Sequence, residues 1–114
     1  EAYPESAAFA NQVKQRFGKE TESFGIYGYD AALVGLKAIE HMIQSLGGKK
    51  PTRAQVSAAI RKLKNFKGIT GTITFDEKGD PVQAKYFVVK FEKAQYPGKV
   101  VKVVEQAAPQ KKKL

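Results

Sequence analysis

The 114 residues contain no cysteine, no tryptophan, one histidine and one methionine. Without cysteine there is no disulfide and no thiolate metal site, and redox chemistry does not fix the compartment. The single histidine, His41, cannot build an imidazole metal centre by itself, and no Ser–His–Asp set assembles by spacing. Long apolar runs are missing too: nothing approaches the roughly 20 residues that a membrane-spanning helix needs. The opening residues lack a signal-peptide pattern, so any targeting segment is expected to lie outside these residues or to have been removed. No glycine-rich phosphate loop is present. Catalytic residues, metal ligands and cofactor motifs are therefore not expected.

What is present suffices for one domain. The chain is 42% hydrophobic and 11% aromatic, enough for a core and unlike a disordered polymer. Its charge of +9 is uneven: residues 1–46 carry four Lys/Arg against six Asp/Glu, and residues 47–114 carry sixteen against five. A basic half raises nucleic acid as a partner. Nucleic-acid readers interleave aromatics with arginine on one sheet face. Here the only arginines are Arg16, Arg53 and Arg61, all in helical stretches, so a solvated lysine-rich exterior is the better reading. No nucleic-acid partner is expected.

Three amphipathic helices come first. Phe9, Val13 and Phe17 share one face of Ser6–Phe17, which follows Pro4 and ends at Gly18. Tyr29, Ala32, Leu33, Leu36, Ile39, Ile43 and Leu46 form a wide apolar stripe over Tyr29–Leu46, stopped by Gly47-Gly48. Thr52 and Gln55 make a capping-box pattern ahead of Arg53–Leu63, with Val56, Ile60 and Leu63 as its apolar face. The period then changes to two. Thr70–Phe75 reads as a strand, Asp76–Asp80 as a turn, and Val82–Glu92 and Val100–Glu105 as an antiparallel hairpin turning at Tyr96–Lys99. Residues 106–114, which include Pro109 and three lysines, read as a flexible basic tail. Helices followed by an antiparallel strand region make an α+β unit on their own. A stripe as wide as the second helix's more often flanks a parallel sheet, so the pattern reads as a piece of a larger α/β fold.

Several runs occur in a telling order: YPESAAFANQVKQRFGKE, YGYDAALVGLKAIE, TRAQVSAAIRKL and FKGITGTITFDEKGDPVQAKYFVVKF. Over residues 1–105 they resemble the carboxyl-terminal part of the periplasmic branched-chain amino acid binding proteins. These are the type I solute-binding subunits of ABC importers for leucine, isoleucine, valine and related solutes. The resemblance implies a two-lobed α/β protein whose chain crosses between lobes three times and whose cleft closes over an amino acid. It implies membrane subunits of an importer as partners, no cofactor, and a periplasmic location. Residues 5–75 would belong to the amino-terminal lobe, and Val82 onward would include the last crossover. The family's main groups for the solute's ammonium and carboxylate lie upstream, so none is carried over.

By that resemblance the approach to the GYDAA helix borders the cleft, which makes Phe24 and Tyr27 the candidate ligand-binding residues; ordinary packing is the competing role. Asp30, at the start of the helix where a carboxylate favours the dipole, is read as a cap or structural residue. Asp76, Glu77 and Asp80 are read as a hairpin turn, because Lys78 spoils a calcium loop. His41 is assigned to the surface or a rim. An apolar stripe left uncovered, together with unpaired strand edges, predicts that the chain alone forms a homo-oligomer, with exchange of the hairpin as one route.

Overall fold

In the computed structural model, residues 3–22, 24–92 and 98–107 are described. Helix α1 spans Ser6–Phe17, and Gly18 ends it in the left-handed region at φ 67°, its N–H donating to the Lys14 carbonyl. A side chain at that φ would be strained, so glycine stops the helix where the sequence places it.

Helix α2 spans Gly25–Ser45. It begins four residues ahead of the start expected at Tyr29, because Gly25 and Gly28 read as loop by propensity and no capping side chain marks the true start. Phe24 occupies the N-cap without a side-chain cap bond. The helix closes through a Gly47 N–H bond to Gln44 and a Gly48 N–H bond to Ile43. Helix α3, Arg53–Lys62, opens on the expected capping box: Gln55 N–H donates to Thr52 Oγ1, and the Thr52 N–H donates to Gln55 Oε1 at 2.9 Å.

The strands differ in part from those expected. They form two separate antiparallel pairs: β1 (Phe66–Gly68) with β2 (Gly71–Ile73), and β3 (Gln83–Lys90) with β4 (Lys99–Ala107). Sequence reading missed β1, since three residues are too short to show a period. In place of one strand over Thr70–Phe75 there is a tight hairpin, Phe66 opposite Ile73, turning at Ile69-Thr70. Phe75 then bridges to Pro81 across the Asp76–Asp80 turn, which is closed by Asp76 Oδ1 accepting from the Lys78 and Asp80 N–H groups. The β3–β4 pairing is antiparallel as expected, with a bulge between Val88 and Val89. Of the turn placed at Tyr96–Lys99, Tyr96 and Pro97 lie outside the described residues, and Lys99 already belongs to β4. Gln106 and Ala107 pair with Ala84 and Gln83, so the strand reaches two residues into the stretch read as tail. The remainder of that stretch lies outside the described residues.

Packing is thin. Among the described residues the buried apolar side chains are Tyr3, Val34 and Ala38. On α2 the buried face is Asp30, Val34 and Ala38, at i, i+4 and i+8. The broader stripe, expected to be left uncovered, is outward: Leu36 is 62% exposed, and Tyr29, Ile39 and Ile43 are exposed too. The radius of gyration is 17.4 Å, where a closed domain of this length has about 13 Å. The described residues do not close a core over their own apolar surface.

Candidate functional site

Four aromatic side chains gather at the amino-terminal end of α2. Tyr27, in the first helical turn, brings its hydroxyl to 3.1 Å from that of Tyr3. The Tyr3 ring meets Tyr27 edge-on at 6.2 Å between centroids and meets Phe87 of β3 in the same way at 5.2 Å. Phe24 lies 6.3 Å from Tyr27 and is 80% exposed. Lys85, on β3, places its ammonium 6.0 Å from the Tyr3 ring centroid. Burial, and then the hydroxyl bond to Tyr27, push the Tyr3 phenol well above its ordinary range, with the Asp30 carboxylate adding to the shift. Tyr3 therefore stays a neutral phenol across the physiological range, a hydrogen-bonding partner with an apolar body.

The two sequence candidates thus occupy one patch with different roles. Tyr27 is half engaged: its hydroxyl is taken by Tyr3 while the residue remains exposed. Phe24 stands free at the edge. Both belong to the helix end itself, at its N-cap and first turn, rather than to a loop entering it. Sequence reasoning missed Tyr3 and Phe87 as members of the patch. They sit 24 and 60 positions from Tyr27, and no local period connects them.

Asp30 has the structural one of its two expected roles and caps nothing, since Phe24 holds the N-cap position. It is 2% exposed and lies one turn beyond Tyr27, inside the helix, where the terminal dipole counts for less. Its carboxylate accepts three hydrogen bonds from the β1–β2 turn: from Ile69 N–H at 2.9 Å, Thr70 N–H at 2.8 Å and the Thr70 hydroxyl at 2.6 Å. Gly68 makes room for it, since a Cβ there would stand 2.5 Å from Asp30 Oδ2. A buried carboxylate is costly unless it is hydrogen-bonded, and here two backbone donors and a hydroxyl supply the bonds. The signal was available in the sequence as a pair, Asp30 with KGITG, whose meeting only the fold makes visible.

The remaining polar groups stand apart from this patch. His41 is exposed and lines a shallow groove of about 350 Å³ between α2 and α3, with Ala38, Ala59 and Leu63. The Asp76 carboxyl is drawn below the usual carboxylate range by the Asp80 N–H and then by the Lys78 and Gly79 N–H groups, the bonding of a turn. Among the described residues no cluster of His, Cys, Asp or Glu is grouped to hold a metal ion. Arg16 lies on α1, and Arg53 and Arg61 on α3, so none shares a sheet face with the aromatics.

The described residues make an αβ unit with a helix stripe left open and an aromatic helix end. Comparison with known proteins makes the class specific. The chain matches a periplasmic binding protein family over residues 1–95. It belongs to that family, one of solute-binding proteins. It is similar to the Leu/Ile/Val-binding protein homolog 1 of Brucella suis, 28% identical over 90 residues, covering 79% of this chain and 22% of the relative. It is also similar to homolog 2 of Brucella abortus, 26% identical over 92 residues, covering 81% and 23%. Among solved structures it resembles the leucine binding protein LivK from Thermotoga maritima, with a TM-score of 0.60 and 31% identity over 91% of this chain and 26% of that one. The chain spans less than a quarter of the length of these curated relatives. The mixed helix and antiparallel-strand arrangement matches the fold of that leucine binding protein over the shared part.

Proposed function

We propose that this chain is part of the extracytoplasmic solute-binding subunit of an ABC importer for leucine, isoleucine, valine or related small solutes. In this reading it supplies one edge of a cleft between two lobes, with Phe24 and Tyr27 facing the aliphatic part of the solute. The groups for the solute's two charges come from chain outside these residues. The subunit works in the periplasm and delivers solute to the importer's membrane subunits. The observation that carries the reading is the match to the periplasmic binding protein family over residues 1–95, together with the likeness to a Leu/Ile/Val-binding relative over 90 residues and, at the fold level, to a leucine binding protein over 91% of the chain. The exposed Phe24 beside a half-engaged Tyr27 supports an apolar contact surface at the helix end. By itself the chain self-associates through the open α2 stripe or the β3–β4 edges.

The test is a chimera in which this chain replaces the matching 26% of the Thermotoga leucine binding protein. Calorimetric leucine binding is expected in the chimera and is expected to weaken when Phe24 and Tyr27 are both replaced by alanine. A folded chimera that gives no leucine heat overturns the reading. Binding untouched by the double replacement removes Phe24 and Tyr27 from the cleft.

A further inference from the structure

The Asp30 carboxylate is the single buried charged group among the described residues, and its three hydrogen bonds are the described ones that join α2 to the strands. Three further described bonds run from the end of α3 and the two residues just past its C-cap to the segment after β2: Arg61 donates to the Glu77 carbonyl, Lys64 Nζ to the Phe75 carbonyl, and Asn65 N–H to Thr74 Oγ1. The amino-terminal half of α2 is therefore held to the β1–β2 turn at one point. That point is one helical turn from Tyr27 and two from the N-cap residue Phe24. Residues three apart on a helix share a face, so rotating or sliding α2 about Asp30 carries Tyr27 with it. Tyr27 in turn must meet Tyr3, which is packed on Phe87 of β3. The helix end is thus located between two strand-borne contacts, the Ile69-Thr70 turn and Phe87.

We infer that Asp30 is a positioning residue for the Phe24–Tyr27 edge: its carboxylate, received by the Ile69–Thr70 donors over Gly68, sets the rotation and height of the α2 amino-terminal end and so where the two aromatics stand. This role rests on the cleft reading proposed above for its use in solute binding, but the geometry it asserts can be tested without solute. The turn presents two successive N–H groups and a hydroxyl to one anion, and an amide in the carboxylate's place would set an NH2 group against at least one of those donors. Asp30→Asn should therefore open the contact while nearly preserving volume. Thr70→Val removes one of the three bonds, and Thr70→Ser keeps all three.

The experiment compares the 114-residue chain with these three variants by NMR, with far-UV circular dichroism as the measure of helix content. In the unaltered chain and in Thr70→Ser, nuclear Overhauser contacts between the Tyr3 and Tyr27 rings are expected. In Asp30→Asn those contacts are expected to be lost and the Phe24 and Tyr27 ring signals to shift, with helix content retained. Thr70→Val should shift the same signals in the same direction by a smaller amount. The inference is overturned if Asp30→Asn melts earlier yet keeps the Tyr3–Tyr27 contacts and ring shifts, since Asp30 would then serve the β1–β2 turn alone. Should Asp30→Asn fail to fold, Thr70→Val decides in the same terms. Neither outcome involves leucine, so failure here is distinct from failure of the chimera to bind it.

Discussion

The helical half of this chain and its β3–β4 ribbon are built on opposite terms. Between α2, α3 and the β1–β2 turn, polar groups are satisfied at named points: a reciprocal capping box at Thr52 and Gln55, and the buried Asp30 carboxylate taken by three donors. The ribbon has eight paired positions and, among the described residues, no such anchor. Tyr86, Val88, Val89, Val101, Val103 and Val104 are all exposed, on both of its faces. A lone two-stranded ribbon is marginal in water, and here the one described aromatic tie to the rest is Phe87 against Tyr3. The lesson is that antiparallel pairing can be complete in hydrogen bonds and still leave most of its hydrophobic free energy unrealised. The ribbon and the outward stripe of α2 both present apolar surface to solvent.

The strongest challenge to this contrast is removal of the Asp30 anchor. Asp30→Ala leaves the part-buried Ile69 and Thr70 N–H groups without their acceptor and is expected to destabilise the chain by about 3 kcal/mol in denaturant unfolding. A loss under about 1 kcal/mol would mean that the helical half is no better anchored than the ribbon. Gly68→Ala attacks the same contact from the other side, because the new methyl lands on the carboxylate. It should cost about 2 kcal/mol. Thr52→Ala, which breaks the capping box, should cost about 1 kcal/mol. On the ribbon, Val101→Thr and Val88→Thr should change stability by no more than about 0.5 kcal/mol, because both side chains already face water. If either costs as much as the helical replacements, the ribbon is covered after all.

The smallest effect is a pH dependence in the turn between β2 and β3. The Asp76 carboxyl is held low by the Asp80 N–H and its neighbours. A lowered folded-state pKa gives stability that is present above the ordinary carboxylate range and is lost as pH falls through the folded value. Asp76→Asn should therefore flatten a shallow acid-side loss. An unchanged acid limb would detach Asp76 from the turn's stability.

Much of this was legible in the sequence, for physical reasons that also mark where legibility ended. The Ser6–Phe17 helix, its Gly18 stop and the Thr52–Gln55 capping box are local signals that need only neighbours along the chain. The pairing of β3 with β4 followed from two period-two runs. A structural role for Asp30 is legible but its partners are not, because they lie about forty residues away and a carboxylate near a helix start resembles a dipole effect until the receiving turn is seen. The short β1 strand and the early start of α2 were hidden by length and by glycine. The apolar stripe on α2 was read correctly as wider than a neighbouring helix covers, but the side chains actually buried are Val34 and Ala38, on a narrower face. At the candidate site Phe24 and Tyr27 were named, whereas Tyr3 and Phe87 were not, because an aromatic cluster drawn from three separate elements leaves no pattern in the chain.

Calorimetry with leucine, isoleucine and valine, run side by side on the 114-residue chain and on its chimera with the Thermotoga protein, tests the central claim most directly. That claim is that these residues form one edge of a cleft whose charge-binding groups lie elsewhere, and an amino acid's two charges cannot be buried unpaired. The account predicts flat traces for the chain alone and saturable heats for the chimera. Micromolar binding by the chain alone, or a folded chimera that stays flat, would contradict it.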